Sequence, residues 1–122
     1  MQIYEITTDS APTVAKMMAR LVPEWWSYDS ALKQITSADK IGWYMGEDAE
    51  TAKDYICVKE IREYSCAELE NFGYDDNGEY TAGDDLAILH DKAEHYALEK
   101  GFRMIRSRIC DRRQIRALAP DR

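Results

Sequence analysis

Three cysteines and two histidines are the residues of this chain that could carry nucleophilic or metal chemistry: Cys57, Cys66, Cys110, His90 and His95. A nucleophilic cysteine needs a base beside it, and both histidines fall on one predicted helix. Their spacing of five residues does not match the four-residue spacing of a helical metal pair. An odd number of cysteines without a Cys-x-x-Cys motif favours neither a disulfide framework nor a zinc site. We therefore predict free thiols, no metal site and a reducing, cytoplasmic location.

Two carboxylates, Glu68 and Glu70, lie two residues apart in a segment with the alternation of a β-strand. Alternate residues of a strand face the same side, so both carboxylates share one face with Cys66, whereas Ala67 and Leu69 share the other. This arrangement leaves two readings open. The carboxylates belong either to a chemical site or to a strand face that is simply solvated.

The formal net charge is −7, from 16 basic and 23 acidic side chains. Binding to a nucleic acid depends on neutralising phosphates, so this balance argues against a nucleic-acid partner. Half of the basic residues lie in residues 100–122. They could contact an anion, an acidic partner or, as charge compensation, the acidic remainder of this chain.

The chain has 122 residues, which is the size of one domain. We place the domain at residues 1–110 and a short basic tail at 111–122. No apolar run approaches the roughly 20 residues that a membrane-spanning helix needs. The N-terminus also lacks the basic and apolar regions of a signal peptide. We therefore expect a cytoplasmic protein with no membrane partner.

Hydrophobic periodicity predicts three helices and five strands. The first helix lies between Ser10, its N-cap, and Pro23, and Ser27 caps the second. The third helix spans Asp84–Lys100 and is closed by Gly101. The strands are predicted at residues 2–7, 41–45, 55–61, 64–71 and 102–110. This order indicates a mixed α/β sheet, with a parallel crossover through the third helix.

Two segments carry a resemblance. Residues 21–26 read Leu-Val-Pro-Glu-Trp-Trp, and residues 86–101 read Leu-x-x-Leu-x-x-x-Ala-Glu-x-Tyr-Ala-x-x-x-Gly. In order and spacing they resemble segments of the GCN5-related N-acetyltransferase (GNAT) superfamily, the first between its first two helices and the second after its acyl-CoA loop. The resemblance covers about residues 2–110. It implies the acyl-CoA N-acyltransferase fold, an α/β fold with a mixed, mostly antiparallel sheet of about five strands and three helices.

This resemblance implies transfer of an acetyl group from acetyl-CoA to a small-molecule amine. Such an amine must lose a proton before it attacks, often to a carboxylate, and the family's place for that carboxylate falls on Glu70 and Glu68. The acceptor is implied to bind against Trp25 and Trp26. Adjacent tryptophans at a chain break could equally cap a hydrophobic core.

For acyl-CoA, the resemblance implies contacts with the end of the fourth strand, at Phe72, Gly73 and Tyr74. The family has a bulge there, whose backbone N–H binds the thioester oxygen. Its next loop presents N–H groups to the pyrophosphate at a helix N-terminus. The matching cofactor-binding positions in this chain are Thr81, Ala82, Gly83, Asp84 and Asp85.

The loop departs from the family pattern Arg/Gln-x-x-Gly-x-Gly/Ala, because Gly83 alone keeps a signature position. Asp84 and Asp85 put two negative charges where the pyrophosphate would bind. At ~4 Å and an effective dielectric constant near 20, each like-charge contact costs about 4 kcal/mol before screening. The alternative function is therefore a catalytically inactive GNAT-fold protein that serves as a ligand-binding or protein-interaction module.

The family typically continues past the fifth strand with a helix and two more strands, whereas this sequence stops at Arg122. The fifth strand would then be an open sheet edge, guarded by arginines or covered by a second copy. We therefore predict a homodimer. The family's proton-donating tyrosine also lies after the fifth strand, and because no tyrosine follows Tyr96, we interpret Tyr96 as a core residue.

Overall fold

Five strands and three helices make up the part of the chain that the structure, a computed structural model, describes: residues 2–75, 77, 79–80 and 84–107. In chain order the elements are β1 (Gln2–Glu5), α1 (Ala11–Leu21), α2 (Tyr28–Ile35), β2 (Lys40–Gly46), β3 (Asp54–Ile61), β4 (Cys66–Gly73), α3 (Asp84–Glu99) and β5 (Met104–Ser107). One turn of 3₁₀-helix, Arg62–Tyr64, joins β3 to β4.

The strands form one mixed sheet in the order β1-β2-β3-β4-β5. Neighbouring strands from β1 to β4 pair antiparallel, and β4 pairs with β5 in parallel. A parallel neighbour needs a crossover connection, and α3 supplies it. The predicted α/β fold, with its mostly antiparallel sheet and three helices, is therefore confirmed.

The sheet lies between α3 on one face and α2 on the other. Trp43 of β2 and Tyr96 of α3 pack on the first face, with ring centroids 5.5 Å apart. On the second face Gln34 of α2 reaches Glu70 of β4. Because both faces are covered, the central strand β3 is buried without alternation from Asp54 to Val58.

The start of β4 differs from the prediction because the chain turns before it. Residues 62–64 form the 3₁₀ turn, and Ser65 has a left-handed backbone with a φ of 50°. The Ser65 carbonyl then accepts the N–H groups of Arg103 and Met104, at 3.0 and 3.1 Å. This turn therefore also fixes where β5 begins. A strand beginning at Tyr64 was a wrong prediction, since the alternation of residue types continues across the turn.

Two serines precede helices, and they behave differently. Ser27 caps α2 as predicted, in a reciprocal capping box with Ser30. Ser10 precedes α1 but makes no side-chain cap. Its hydroxyl oxygen accepts the Thr7 N–H at 2.8 Å and its hydroxyl donates to the Glu5 carbonyl at 3.1 Å. That turn ends β1 at Glu5, two residues before the predicted end.

Gly101 follows α3 with a φ of 82°, as the predicted helix end requires. The last described strand, Met104–Ser107, lies inside the strand predicted at residues 102–110. Residues 108–110, with Cys110, and the tail at 111–122 fall outside the described residues. Among the described helices, none combines the length and apolar character needed to cross a membrane.

Candidate functional site

Glu70 is the central charged residue on the α2 face of the sheet. Its Oε2 lies 2.8 Å from the Nζ of Lys40 on β2 and accepts a hydrogen bond of 2.8 Å from Nε2 of Gln34. The side chains of Lys40 and Glu70 are 5% and 7% exposed. Glu70 therefore does not lie on a solvated strand face, which was one of the two readings that the sequence left open.

A pocket of about 420 Å³ opens beside this ion pair. Helix α2 and the residues after it form one wall, with Ser30, Lys33, Gln34 and Ser37 at helical spacing. The strands contribute Lys40, Lys59 and Glu70, and Trp26 completes the lining. The structure thus brings together two residues predicted from the sequence, Trp26 and Glu70. The sequence analysis missed the lysines, although the strand alternation already placed Lys59 on the face of Cys57.

The two tryptophans predicted to bind an acceptor lie at the end of α1 and have different environments. Both backbone N–H groups donate to the carbonyl of Val22, at 3.1 Å. Trp26 is partly buried, packs against the hydrophobic core and lines the pocket. Trp25 is 49% exposed and is not part of the pocket lining. Trp26 therefore packs against the core and also lines the pocket, and its contact with an acceptor stays a prediction.

Glu68, the second predicted carboxylate, forms an ion pair with a residue of β5 and does not line the pocket. Its Oε2 lies 2.6 Å from one terminal nitrogen of Arg106 and accepts a hydrogen bond of 2.7 Å from the Arg106 Nε. The two residues are direct partners in the parallel register of β4 and β5. This contact makes Glu68 a cross-strand ion-pair residue, and it leaves Glu70 as the carboxylate in the pocket.

The end of β4 is regular where the resemblance implied a bulge. Phe72 pairs with Tyr55 and Gly73 with Asp54, in the same register as the rest of the strand. The rings of Tyr55 and Phe72 stack at 5.6 Å, and that of Tyr74 lies 4.6 Å from Phe72. No bulge interrupts the pairing at Phe72 or Gly73, so that part of the expectation was wrong, and the register between β3 and β4 ends at Gly73.

After Tyr74 the side-chain carboxylate of Asp75 holds the backbone through hydrogen bonds. Tyr74 forms an isolated antiparallel bridge with Tyr80. Between them, Oδ1 of Asp75 accepts the backbone N–H groups of Asn77 and Glu79, at 2.9 and 3.0 Å. These two amides are thus already occupied by a protein anion. The predicted cofactor residues Thr81, Ala82 and Gly83 lie outside the described residues.

Acidic side chains gather at the start of α3. Helix α3 begins at Asp84, as predicted, with Asp84 exposed and Asp85 partly buried. Asp54, paired with Gly73 across the sheet, is buried. Burial, and next the negative charge of Asp85, raise the pKa of Asp54 to about 6. The negative charges of these aspartates oppose the binding of a diphosphate at the start of α3.

A second polar network connects the β4–α3 segment to the other face of the sheet. The Tyr80 hydroxyl donates to Oδ1 of Asn71 at 2.7 Å, and Nδ2 of Asn71 lies 3.1 Å from Nε2 of His90. Since the amide oxygen already accepts a hydrogen bond, its nitrogen donates to a neutral imidazole. Burial lowers the pKa of His90, which favours the same neutral ring. No spacing in the sequence connects these three residues.

Two side chains that could have been chemically active, those of Cys57 and Tyr96, lie in surroundings that give them a structural role. Burial raises the pKa of the Cys57 thiol to about 12, so Cys57 is not a thiolate nucleophile. Tyr96 packs against Trp43 and donates its hydroxyl to Oε1 of Glu60 at 2.9 Å. Burial is also the first cause that raises the pKa of Tyr96. Its placement agrees with the prediction of a core residue.

No known family model matches the sequence, and no curated protein matches it. Solved structures do match it in fold. A ribosomal-protein-alanine N-acetyltransferase from Brucella melitensis biovar Abortus 2308 superposes with a TM-score of 0.70 at 12% identity, covering 97% of this chain and 90% of the other. An aminoglycoside N-acetyltransferase in complex with CoA gives 0.67 at 13% identity, covering 93% and 80%. A transcriptional regulator from Bacillus halodurans C-125 gives 0.66 at 18% identity, covering 96% and 86%.

These matches define the class of fold. The chain has the fold of the GNAT superfamily, as the two sequence segments implied. At 12% to 18% identity the similarity establishes the fold alone. A fold of this kind can carry more than one activity, so the function has to be argued from the site.

Proposed function

We propose that this protein is an N-acetyltransferase that moves an acetyl group from acetyl-CoA to a small amine. The observation that carries the proposal is the position of Glu70 within the GNAT fold. Glu70 follows Leu69, whose pair with Ser107 is the last described pair between β4 and β5. Its carboxylate lines a pocket that Trp26 and α2 enclose from the other side. A base and an acceptor pocket thus adjoin the strand that the family uses for its acyl donor.

In this mechanism the acceptor enters the pocket as an ammonium ion and loses a proton to Glu70. The neutral nitrogen attacks the thioester carbonyl carbon, the C–N bond forms and the C–S bond breaks. The nitrogen then gives its second proton to solvent, which leaves a neutral amide, and CoA leaves as a thiolate that takes a proton from solvent. Lys40 and Gln34 fix the carboxylate for this step through their 2.8 Å contacts. Glu68 is the second candidate base; it too is held in an ion pair, with Arg106, and unlike Glu70 it does not line the pocket.

For the acyl donor we propose contacts along the end of β4 and at the start of α3. The proposed donor-binding residues are Phe72, Gly73, Tyr74, Thr81, Ala82, Gly83, Asp84 and Asp85. For the acceptor we propose contacts with Trp26 and, from its exposed position, Trp25. The regular β4 register supplies no bulged amide before Gly73.

The second candidate function is a GNAT-fold protein without catalytic activity that binds a ligand or a protein partner. It is favoured by the charge around the proposed diphosphate position, where Asp84 and Asp85 begin α3 beside the buried Asp54. The Asp75 carboxylate also occupies two backbone amides of the preceding segment. The two candidates differ in one measurable property, the affinity for acetyl-CoA.

The deciding experiment is a calorimetric titration of the full chain with acetyl-CoA, followed by a thiol-release assay with a panel of small amines. Binding, together with amine-dependent release of CoA thiol, supports the acetyltransferase. The matched variant Glu70→Gln should bind acetyl-CoA but release thiol more slowly. No heat and no thermal shift at millimolar acetyl-CoA would reject the enzyme and favour the second candidate.

Two properties of the assembly and location complete the proposal. We place the protein in the cytoplasm, in keeping with the buried free thiols of Cys57 and Cys66. We also propose a homodimer, because β5 lies at one edge of the described sheet and exposed edges invite pairing. Sedimentation at high micromolar concentration tests the second point, and a monomer there would contradict it.

A further inference from the structure

We infer that the pocket beside Glu70 selects an acceptor whose amine is accompanied by an anionic group, a carboxylate or a phosphate. The inference deepens the proposed function and rests on it in one respect, because it takes the bound amine to be the acceptor of the acetyl group. Its physical basis is separate, because it concerns the charge of the pocket and not the acyl donor. Three lysines and one glutamate are among the residues that line the pocket: Lys33, Lys40, Lys59 and Glu70.

One of these three lysines is already neutralised. Lys40 and Glu70 form the 2.8 Å ion pair, and both side chains are more than nine-tenths buried. The pair therefore contributes little net charge to the pocket. Lys33, exposed on α2, and Lys59, partly buried on β3, remain as the excess positive charge. This excess stands out in a chain whose formal net charge is −7.

The strand register concentrates the positive charge. Lys40 and Lys59 are direct partners across β2 and β3, and like charges directly opposite each other destabilise a sheet. On the other side of Lys59, its β4 partner is Glu68. That carboxylate is held by Arg106, at 2.6 Å. A ligand anion between Lys59 and Lys33 would supply a counter-charge to Lys59, whose direct partner on β2 is also a lysine.

Lys59 also lines a second cavity together with three acidic residues, Asp39, Glu60 and Glu63, and none of these three lines the pocket beside Glu70. Asp39 is exposed. A hydrogen bond from the Ser37 hydroxyl, at 2.8 Å, is the largest cause that lowers the pKa of Asp39, with smaller contributions from Lys59 and Lys40. Asp39 is thus ionised and moderates the positive field from outside. The pocket itself keeps two lysines in excess of its ion pair.

The arrangement suits a ligand with charges of both signs. Lys33 lies on the α2 wall of the pocket, whereas Lys59 and Glu70 lie on the wall that the strands form. An anion can therefore lie between Lys33 and Lys59 while an ammonium approaches the carboxylate of Glu70. Ammonium groups are compact point charges that bind a carboxylate or a phosphate without the planar fork of arginine. A polyamine, by contrast, would bring additional positive charge against these lysines. Selectivity of this kind depends on ionic strength, because part of the site is open to solvent.

The test measures binding to the full chain without an acyl donor, by NMR titration. Two matched pairs of probes separate the anion from the amine: L-alanine against L-alaninamide, and O-phosphoethanolamine against ethanolamine. We expect the anionic member of at least one pair to bind about fivefold or more tightly than its partner, in line with ~1 kcal/mol for an open charge contact. Which pair shows the difference distinguishes a carboxylate from a phosphate.

Variants locate the binding. Lys59→Gln and Lys33→Gln should each weaken the anionic probe about threefold to fivefold and should not weaken its partner, which carries the ammonium group without the anion. The matched control is Lys53→Gln, which removes an exposed lysine that pairs with Glu47 at 3.6 Å in the turn between β2 and β3. This variant should bind every probe like the unmodified chain.

The outcomes separate the inference from the proposed function. Equal binding within both pairs, binding of no probe, or equal weakening by Lys53→Gln would overturn the inference, whatever acetyl-CoA does. Transfer to neutral and anionic amines with the same kcat/KM would also overturn it and leave the acetyltransferase intact. Anion binding that depends on Lys59, in a chain that does not bind acetyl-CoA, would support the inference and reject the proposed function.

Discussion

The Nζ of Lys40 on β2 and Oε2 of Glu70 on β4 lie 2.8 Å apart, so a buried ion pair spans the strand between them. Beneath the pair, Cys57 of β3 pairs with both Gly42 and Glu70. A side-chain Cβ at Gly42 would lie 2.8 Å from the Cys57 sulfur. The absence of a side chain at Gly42 therefore leaves room for the Cys57 thiol on the face that carries the ion pair.

Removal of either partner of this ion pair should destabilise the protein strongly. Lys40→Met or Glu70→Gln leaves a buried charge without its partner, at a cost of about 3 kcal/mol. The double variant should lose less than the sum of the two, because it removes both charges. Urea unfolding of the three variants measures this coupling. Lys53→Met, at an exposed ion pair, serves as the control and should change the free energy of unfolding by less than about 0.5 kcal/mol. Strictly additive losses in the Lys40 and Glu70 variants would contradict the coupling.

The acidic start of α3 should weaken binding of acetyl-CoA. The double variant Asp84→Asn/Asp85→Asn removes two negative charges next to the proposed diphosphate position. It should tighten acetyl-CoA binding about tenfold, since each partly exposed charge contact is worth up to about 1 kcal/mol. Calorimetry measures the change. The control, Glu94→Gln/Glu99→Gln, removes two exposed charges further along α3, and an equal effect in both double variants would show that only net charge matters.

Asp54 should make stability depend on pH between its unfolded and folded pKa values. Its folded pKa is raised to about 6, above the unfolded value of about 3.9. The folded protein therefore binds this proton more tightly, and the corresponding stability is present at low pH and lost as the pH rises toward 6. Asp54→Asn should raise the free energy of unfolding by about 1 kcal/mol at pH 7.5 and by much less at pH 4.

The same carboxyl gives a direct spectroscopic check. In Asp85→Asn the pKa of Asp54 should fall, because one of the charges that raise it is gone. Burial, the larger cause, remains, so the pKa should stay above the ordinary value. Carboxyl chemical shifts followed by NMR report this change. Glu63→Gln, an exposed site in the 3₁₀ turn, should leave the titration of Asp54 unaltered, and an unchanged titration in Asp85→Asn would contradict the assignment.

The capping box at the start of α2, the helix that forms one wall of the pocket, should contribute to the stability of the protein. Ser27→Ala removes the hydroxyl that accepts the Ser30 N–H at 3.1 Å, and caps of this type contribute about 1 kcal/mol. Ser27→Gly should cost only a few tenths of a kcal/mol. The midpoint of urea unfolding, at unchanged slope, measures both variants. Equal stability of Ser27→Ala and the unmodified chain would show that the second half of the box holds the helix end alone.

Local patterns in the sequence determined the elements and their order. The spacing of apolar residues between Asp84 and Gly101, with an acidic first turn and a glycine after the last, predicted α3 closely, since helix periodicity and caps depend on neighbours three or four residues away. The serine before α2 was equally informative. The strand alternation correctly put Glu68 and Glu70 on one face. From these elements, and from the resemblance at residues 21–26 and 86–101, the fold followed.

Only the tertiary structure decided which residues each face of the sheet contacts. The sequence could not show that Glu70 is buried against Lys40 while Glu68 pairs with Arg106, because both outcomes depend on strand register over 30 or more residues. The lysine pocket arises in the same way, since Lys40 and Lys59 become neighbours only when β2 pairs with β3. Such contacts between distant residues leave no periodic trace in a single sequence. Charge and burial at the site therefore came from the packing of the sheet, and the elements came from local chemistry.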